Sequence, residues 1–480
     1  MEQTLKHKTA LGLFWGGMSN GILQFLSMLF GVLLARLLNA SDYGLIGMLA
    51  IFSGIAGNIV NSGFTVALTN KKNINHRDYN AVFWFTFFVG AACYILLFLL
   101  APFIAKFYGH PELTKLSRVI FLSFFFAGCA SVSYTVLFKN LMVKQQAFID
   151  IFSIILSGIV GVTLAINGFS YWALALQNVV FVISGALIRF IVAPWKPTFE
   201  IDFKPLKDMF SFSVNILFTN IFAQINGNFI SVFLGKFYSA NQLGFYTQGQ
   251  KWVGMGQSLI MGMINNVSQP ILVSVLDDEE RIKKILRKLL KFGAFVSFPS
   301  FLGLAFVSKE FIIITIGEKW LSSVIFMQIF CIWGMVSFIW TIYSNLLMSY
   351  GKSDKFLKGN LLVGLLQLLF ILVFFRISIV WMVVAYVFAY YLGLVYWHYS
   401  ICKLVDLKMR DILSDILPYM CIVLILLFVV WIITCKINNV YFLFISKVLS
   451  FIFLYLVVMW KSKSIIFRES VMFVKRKMQN

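Results

Sequence analysis

Amide side chains recur at helical spacing inside the apolar segments of this sequence. Asn20, Gln24 and Ser27 follow one another at intervals of four and three residues, so a helix places all three on one face. An amide both donates and accepts hydrogen bonds. A stripe of this kind serves either to line a hydrated cavity or to join two helices.

The same pattern returns in three other apolar segments. For any single amide, helix–helix packing is the favoured interpretation, because small residues let helices approach and amides bond across the contact. For the whole set a hydrated cavity is favoured, because the stripes are concentrated in four segments and nearly absent from the last two. The further members are Ser53, Gly57, Asn58 and Asn61, then Asn220, Gln224, Gly227 and Ser231, then Thr247, Lys251, Gly254, Ser258, Asn265 and Gln269.

Lys251 is the sharpest candidate for contact with an anion. It lies roughly 12 Å along a helix from the start of its apolar segment, where an ammonium group costs about 2.5–3.5 kcal/mol to insert. The sequence places no acidic residue at a similar depth. Either Lys251 contacts an anionic group such as a phosphate, or its long side chain extends to the outer interface. Arg36 and Lys236, at equivalent segment ends, are weaker candidates, and Arg118 and Arg189 are interpreted as marking interfaces.

Catalytic and metal-binding patterns are missing from the sequence. The four histidines have no Ser, Cys or metal partner at motif spacing, and the six cysteines are scattered without a CxxC pair. Gly351-Lys352-Ser353 resembles the end of a phosphate-binding loop, but Leu346 occupies the place of its first glycine. We therefore expect no enzymatic activity, no metal ion and no cofactor.

The elements that position these residues are membrane-spanning helices. Of the 480 residues, 60% are hydrophobic and 12% are charged, whereas a soluble chain carries about a quarter charged residues. The apolar runs lack the alternation of a barrel strand, so they must be helices, whose backbone groups bond internally. The net charge of +21 does not indicate nucleic acid, because the basic residues lie in short loops.

Hydropathy predicts about fourteen spans, so the fold class is an all-α integral membrane protein. One set of loops and tails holds 29 of the 40 Lys and Arg residues, and the opposite set holds 9. The positive-inside rule makes the first set cytoplasmic, together with both termini. The predicted spans are 10–38, 43–69, 80–107, 114–138, 147–167, 170–194, 208–235, 243–270, 290–317, 321–350, 356–376, 379–402, 412–435 and 440–460.

A weak internal repeat relates the two halves of the chain. A shift of 200 residues aligns Asn20 with Asn220 and Gln24 with Gln224, and it also pairs Ala40 with Ala240 and Gly44 with Gly244. The repeat unit is six spans, an even number, so both copies enter the membrane in the same orientation. This predicts two pseudo-symmetric six-helix lobes, at 1–195 and 196–403, followed by two further helices and a basic cytoplasmic tail at 404–480.

Two charge patterns bear on mechanism. The segment 277–291, DDEERIKKILRKLLK, is predicted to be an amphipathic helix that lies on the membrane surface and links the lobes. All nineteen acidic residues fall in loops or at span ends, with Asp150 and Glu310 nearest to the membrane. Proton- or sodium-coupled carriers usually hold a buried carboxylate, so the sequence gives no argument for ion coupling.

Two short turns carry a resemblance to a known family. Leu38-Asn39-Ala40-Ser41-Asp42-Tyr43-Gly44 follows the first span, and the related segment 238–246, YSANQLGFY, follows the seventh. With the span count, orientation and repeat, these turns make the chain resemble the polysaccharide transporter (Wzx-type flippase) family of the multidrug/oligosaccharidyl-lipid/polysaccharide exporter superfamily.

The resemblance implies export of undecaprenyl-pyrophosphate-linked oligosaccharide from the cytoplasmic to the outer leaflet of a bacterial inner membrane. Family members typically have a cationic central cavity, and here only Lys251 and Arg36 match that feature. The expected partners are the lipid-linked oligosaccharide, membrane lipids and proteins of polysaccharide assembly, without nucleic acid. The alternatives are a multidrug or small-molecule exporter of the same superfamily, and a membrane glycan polymerase or ligase. The latter needs a long outer loop, and the sequence contains none.

Overall fold

Helices account for the architecture of the described chain. The computed structural model describes residues 2–71, 74–276, 278–462, 466–469 and 472, and for 2–17 and a few positions in later helices it describes the backbone only. Within these ranges the regular elements are seventeen α-helices and one 3-10 turn, with no strand. The predicted all-α class is confirmed.

Contacts between Cα atoms divide the chain into a first unit, Met1–Gly244, and a second unit, Phe245–Asn480. This division falls inside the predicted second lobe, so the lobe boundaries at 195 and 403 stay a prediction. The first unit contains α1 (Glu2–Leu37), α2 (Ala40–Met48), α3 (Ala50–Asn70), α4 (His76–Tyr108), α5 (Glu112–Lys139), α6 (Val143–Ile166), α7 (Tyr171–Val192) and α8 (Leu206–Phe237).

The second unit begins within the first turns of α9. Its elements are α9 (Ala240–Val273), α10 (Glu279–Phe306), α11 (Ser308–Thr315), the 3-10 turn Glu318–Trp320, α12 (Ser323–Gly334), α13 (Ser337–Ser349), α14 (Ser353–Phe374), α15 (Ile379–Val405), α16 (Met409–Thr434) and α17 (Val440–Lys461).

The count of spans is close to the predicted fourteen. Among the described residues, twelve helices are long and apolar enough to cross a membrane. The pair α12 and α13, bent by 40° at a short break, is a thirteenth when taken as one span, and it corresponds to the predicted span 321–350. The helix α9, which contains the predicted eighth span and its polar stripe, is not among these apolar helices.

The predicted surface helix at 277–291 is wrong as a separate element. The structure continues it without a break into the apolar half of α10, from Glu279 to Phe306. Ile282, Leu286 and Leu290 recur at every fourth residue and are fully buried, because this face packs inside the second unit. The charged residues occupy the remaining faces of the same helix, which explains the amphipathic pattern.

Small residues bring the helices of the first unit close together. On α4 and α5, the Thr86 hydroxyl donates to the Gly128 carbonyl at 3.1 Å and accepts from the Ser131 hydroxyl at 2.8 Å. A methyl group added to Gly128 would lie 2.5 Å from the Thr86 carbonyl oxygen. Close backbone approach and interhelical hydroxyl bonds replace the hydrophobic driving force that lipid cannot supply.

The connection between α7 and α8 is fixed to the start of α4. The Asn80 amide donates to the Glu200 carbonyl at 2.6 Å and accepts from the Thr198 N–H at 2.9 Å. His76 accepts from the Trp195 indole at 2.9 Å, which gives this histidine a structural role. The backbone N–H of Lys204, with help from Arg77, holds the pKa of Asp202 in this connection below its usual range.

Candidate substrate-binding sites

The predicted amides of α1 and α3 differ in how far the first unit buries them. Asn20 and Asn61 are exposed, and Gln24 is half-buried. Asn58 is half-buried and donates to the Gly54 carbonyl of its own helix at 2.8 Å, so it does not bridge two helices through that bond. Asn20 and Asn61 are therefore not sealed inside helix contacts of this unit.

The amides of α8 divide in the same way. Asn220 is exposed, whereas Gln224 is half-buried and its side-chain oxygen accepts from the Asn228 amide at 3.0 Å. That oxygen also lies where α8 meets α3, since a methyl group on Gly54 would come within 2.4 Å of it. The packing interpretation thus fits Gln224, and it does not fit Asn220.

In the first unit, two glycines of the stripes border open space. A methyl group added to Gly57 on α3 or to Gly227 on α8 would meet no atom within 4 Å. Neither glycine is required for a close approach of helices, in contrast to Gly54. Small residues without a packing partner leave room beside the amides of the same stripes.

In the first unit, α3, α5 and α7 border a cavity of about 420 Å³, a volume that would hold a small headgroup. Asn61 and Thr65 line it from α3, Ser131 and Tyr134 from α5, and Arg189 from α7. Of the residues predicted from the sequence, Asn61 alone contributes to this cavity. Arg189, interpreted from the sequence as an interface marker, is its cation.

Arg189 is held in place by two neighbours. It forms a close ion pair with Asp150 of α6, and its guanidinium carbon lies 5.7 Å from the ring centre of Tyr134. Its Nε atom is buried and has no hydrogen-bond partner among the described residues. A buried donor without a partner is unfavourable, and Arg189 is the charged side chain among the residues that line this cavity.

Lys251 lies on α9 in the second unit and is half-buried. Within the described chain, the Lys251 ammonium forms no hydrogen bond or salt bridge. Its Nζ atom lies 5.6 Å from the ring centre of Trp252. One turn earlier, Gln248 is fully buried, and neither its amide oxygen nor its nitrogen has a hydrogen-bond partner among the residues that the structure describes. The spacing of three residues places Gln248 and Lys251 on one face of α9, and of the two only Lys251 is partly exposed.

Farther along α9, the polar residues do join helices. The Asn345 amide of α13 donates to Asn265 at 2.8 Å and to the Ser268 hydroxyl at 2.6 Å. The packing interpretation therefore holds for the end of the α9 stripe. Arg36, the remaining predicted site residue, is exposed in the last turn of α1.

One buried ion pair was not expected from the sequence. Lys447 of α17 donates to Glu310 of α11 at 2.8 Å, and both side chains are about nine-tenths buried. The second carboxylate oxygen of Glu310 is buried without a partner among the described residues. Lys447 lines a largely apolar cavity of about 380 Å³ together with side chains of α10 and α16. Within the described residues, no cluster of His, Cys, Asp or Glu side chains is arranged to hold a metal ion.

Long apolar helices that carry exposed amides define a polytopic membrane protein. The sequence pattern of the polysaccharide biosynthesis protein family matches residues 33–325, more than half of the chain. The chain belongs to this family. The predicted resemblance to polysaccharide transporters is thereby confirmed.

Two bacterial relatives extend over most of the chain. The teichuronic acid biosynthesis protein TuaB of Bacillus subtilis is 26% identical over 348 residues, which is 72% of this chain and 71% of TuaB. The lipopolysaccharide biosynthesis protein WzxC of Escherichia coli is 22% identical over 364 residues, 74% of this chain and 73% of WzxC.

The fold has a solved counterpart. The lipid II flippase MurJ, in an inward closed conformation, superimposes with a TM-score of 0.75 at 18% identity. The superposition covers 95% of this chain and 99% of MurJ. At this identity the likeness establishes the fold.

Proposed function

We propose that this protein flips an undecaprenyl-pyrophosphate-linked oligosaccharide from the cytoplasmic to the outer leaflet of a bacterial inner membrane, by alternating access. Membership of a polysaccharide biosynthesis family supports the substrate class, and the fold shared with a lipid II flippase supports the transport of a lipid-linked sugar. Both termini are cytoplasmic in this proposal, as the distribution of Lys and Arg indicates.

The observation that carries the proposal is the exposure of Asn20, Asn61 and Asn220 in the middle of long apolar helices. An amide that faces hydrocarbon has no bonding partner, and its burial there is unfavourable. A hydrated path satisfies these groups and offers hydrogen bonds to a sugar. The lipid tail then stays in the bilayer while the polar headgroup follows the amides.

Lys251 provides the first test. Lys251→Ala and Lys251→Glu should lower polysaccharide export at normal protein levels, and Lys251→Glu should lower it more, because a carboxylate repels a pyrophosphate. Lys251→Arg should retain most of the export. The measurement is complementation of a deletion strain, with the lipid-linked intermediate on the cytoplasmic leaflet quantified in parallel. Lys309→Ala, an exposed lysine on α11, is the control. Full complementation by both Lys251→Ala and Lys251→Glu would remove Lys251 from the substrate path.

Arg189 provides a second and independent test. Arg189→Gln leaves Asp150 unpaired, so a folding defect is expected from this variant regardless of transport. The double variant Arg189→Gln/Asp150→Asn removes both charges and should restore normal protein abundance. If Arg189 contacts the anionic headgroup, export by the double variant should still fall about tenfold or more, because a charged hydrogen bond is lost. Normal export by the double variant would show that Arg189 serves only to bind Asp150.

A further inference from the structure

A second cavity lies in the second unit, and none of the residues that line it belongs to the amide stripes. It has a volume of about 740 Å³ and lies between α10, α16, the end of α17 and the segment 466–469. Four basic residues of α10 line it: Lys284, Arg287, Lys288 and Lys291. We call it the basic pocket.

The cations of the basic pocket outnumber its acids. Asp415 and Glu469 are its carboxylates, so the formal balance of the lining is about +2 at neutral pH. The buried Asp415 carboxylate accepts hydrogen bonds from Arg287 Nε and Nη2, at 2.6 and 2.9 Å. It also forms an ion pair with the Lys291 ammonium at 3.0 Å. One carboxylate thus holds two cations side by side.

These contacts leave hydrogen-bond donors unused. A guanidinium has five N–H groups and an ammonium has three, and Asp415 takes two from Arg287 and one from Lys291. Lys288 is paired with Glu469 at 2.7 Å, but both side chains are largely exposed, so the pair is weak and exchangeable. Within the described chain, the Lys284 ammonium forms no hydrogen bond or ion pair. A phosphate group offers the acceptor oxygens that such donors bind.

The other side of the basic pocket is apolar. Tyr419 and Ile422 of α16, Met459 of α17 and Ile466 complete its lining. A pocket with cations on one side and apolar side chains on the other fits a molecule with a charged head and a hydrocarbon body. A free inorganic anion would use only the basic side.

The basic pocket also lies at the level of a membrane surface. On α10, the charged stretch ends at Lys291 and an apolar stretch follows, while α16 begins at Met409 and α17 ends at Lys461. Three candidate spans therefore begin or end around one cavity. Lipid phosphates lie at this boundary between hydrocarbon and water.

We propose that the basic pocket binds the phosphate group of an anionic phospholipid, with one acyl chain against Tyr419 and Ile422. The excess of about two positive charges in the lining is sufficient to neutralise a singly charged phosphodiester. None of the residues that line it is proposed to contact the transported substrate, so the proposal stands whether or not the protein is a flippase.

The test compares two double variants of the full chain in nanodiscs of phosphatidylcholine with a small fraction of phosphatidylglycerol. Lys284→Gln/Lys288→Gln removes two cations of the pocket. The control, Arg281→Gln/Lys283→Gln, removes two cations of the same helix that do not line it. Native mass spectrometry measures the phosphatidylglycerol retained, and we expect about a tenfold loss of affinity in the pocket variant and little change in the control.

Three results would overturn the proposal. Equal retention by the two double variants would mean that α10 attracts anionic lipid through its overall charge. Equal stabilisation of the wild type by inorganic phosphate and by phosphatidylglycerol, in thermal unfolding, would identify a free-anion site. Retention of undecaprenyl phosphate without retention of phosphatidylglycerol would assign the pocket to the polyprenyl carrier. Thermal unfolding in phosphatidylcholine alone shows whether each variant is folded before the lipids are compared.

Discussion

Lys447→Met should lower the free energy of unfolding by about 3–5 kcal/mol, because it leaves the Glu310 carboxylate buried without a counter-ion. Glu310 is already short of one partner, since its second oxygen forms no hydrogen bond in the described structure. The 2.8 Å contact with the Lys447 ammonium is thus the interaction that compensates its burial. The measurement is an unfolding titration of the purified protein in mixed detergent micelles.

The double variant Glu310→Met/Lys447→Met separates the charge from the packing. Replacing both members of a buried ion pair with apolar groups of similar size is often neutral or stabilising. The surrounding cavity is lined by Phe306, Phe451 and other apolar side chains, so two methionines should pack there. We expect the double variant to recover most of the stability that Lys447→Met loses.

Lys461→Met is the matched control, because it makes the same substitution at an exposed position on the same helix. Its effect should stay within about 0.5 kcal/mol. A loss by Lys447→Met no larger than that of the control would mean that water reaches Glu310. A loss by the double variant as large as that of Lys447→Met would assign the effect to packing.

This ion pair depends on a contact between two helices that the sequence does not predict. The sequence places Lys447 within the predicted span 440–460 and Glu310 among the acids nearest to the membrane. Their pairing depends on contact between α11 and α17, which are 137 positions apart at these residues. Hydropathy locates spans from local composition and carries no information about which spans touch.

The all-α class followed from composition because only helices and closed barrels satisfy the backbone hydrogen bonds of a chain inside a bilayer. The span count was nearly correct for the same reason, and it differs at α9, where the polar stripe itself lowers the hydropathy. Arg189 was assigned to an interface because it lies near a span end, and its cavity is formed by side chains of α3 and α5. Charged residues at helix ends have the same sequence pattern whether they face lipid headgroups or a pocket.

The internal repeat also identifies residues that contact each other in the structure. Ala40 and Gly44 on α2 align with Ala240 and Gly244 on α9, and all four residues are buried within the first unit. In the structure these two pairs meet each other. A methyl group on Gly44 would lie 1.8 Å from the Ala240 carbonyl oxygen, and one on Gly244 would lie 1.8 Å from the Ala40 carbonyl oxygen. The equal distances show that the contact is reciprocal.

The position of Gly44 is fixed by the turn before it. The Asp42 carboxylate accepts from the Asn39 N–H at 2.8 Å, which caps the start of α2, and it also accepts from the Ser170 hydroxyl. Asp42 is buried. The turn that carries the family resemblance therefore anchors α2 on one side and presents Gly44 to a carbonyl on the other.

Gly44→Ala and Gly244→Ala should each destabilise the protein by about 1–3 kcal/mol, because the added methyl group meets a backbone atom that cannot rotate away. The two losses should be similar, since the contact is reciprocal. Gly57→Ala and Gly227→Ala are the controls; there the methyl group enters open space, and helix propensity favours alanine by up to about 1 kcal/mol. Thermal unfolding of the four variants gives the comparison.

The double variant Gly44→Ala/Gly244→Ala distinguishes a shared contact from two separate ones. If one methyl group pushes α2 and the start of α9 apart, the second finds room that the first has already made, so the combined loss should be smaller than the sum of the single losses. Additive losses, or a large loss at one glycine with none at the other, would contradict the reciprocal contact. Less-than-additive losses would also explain why both copies of the repeat carry glycine here, because a side chain on either helix separates the same pair of backbones.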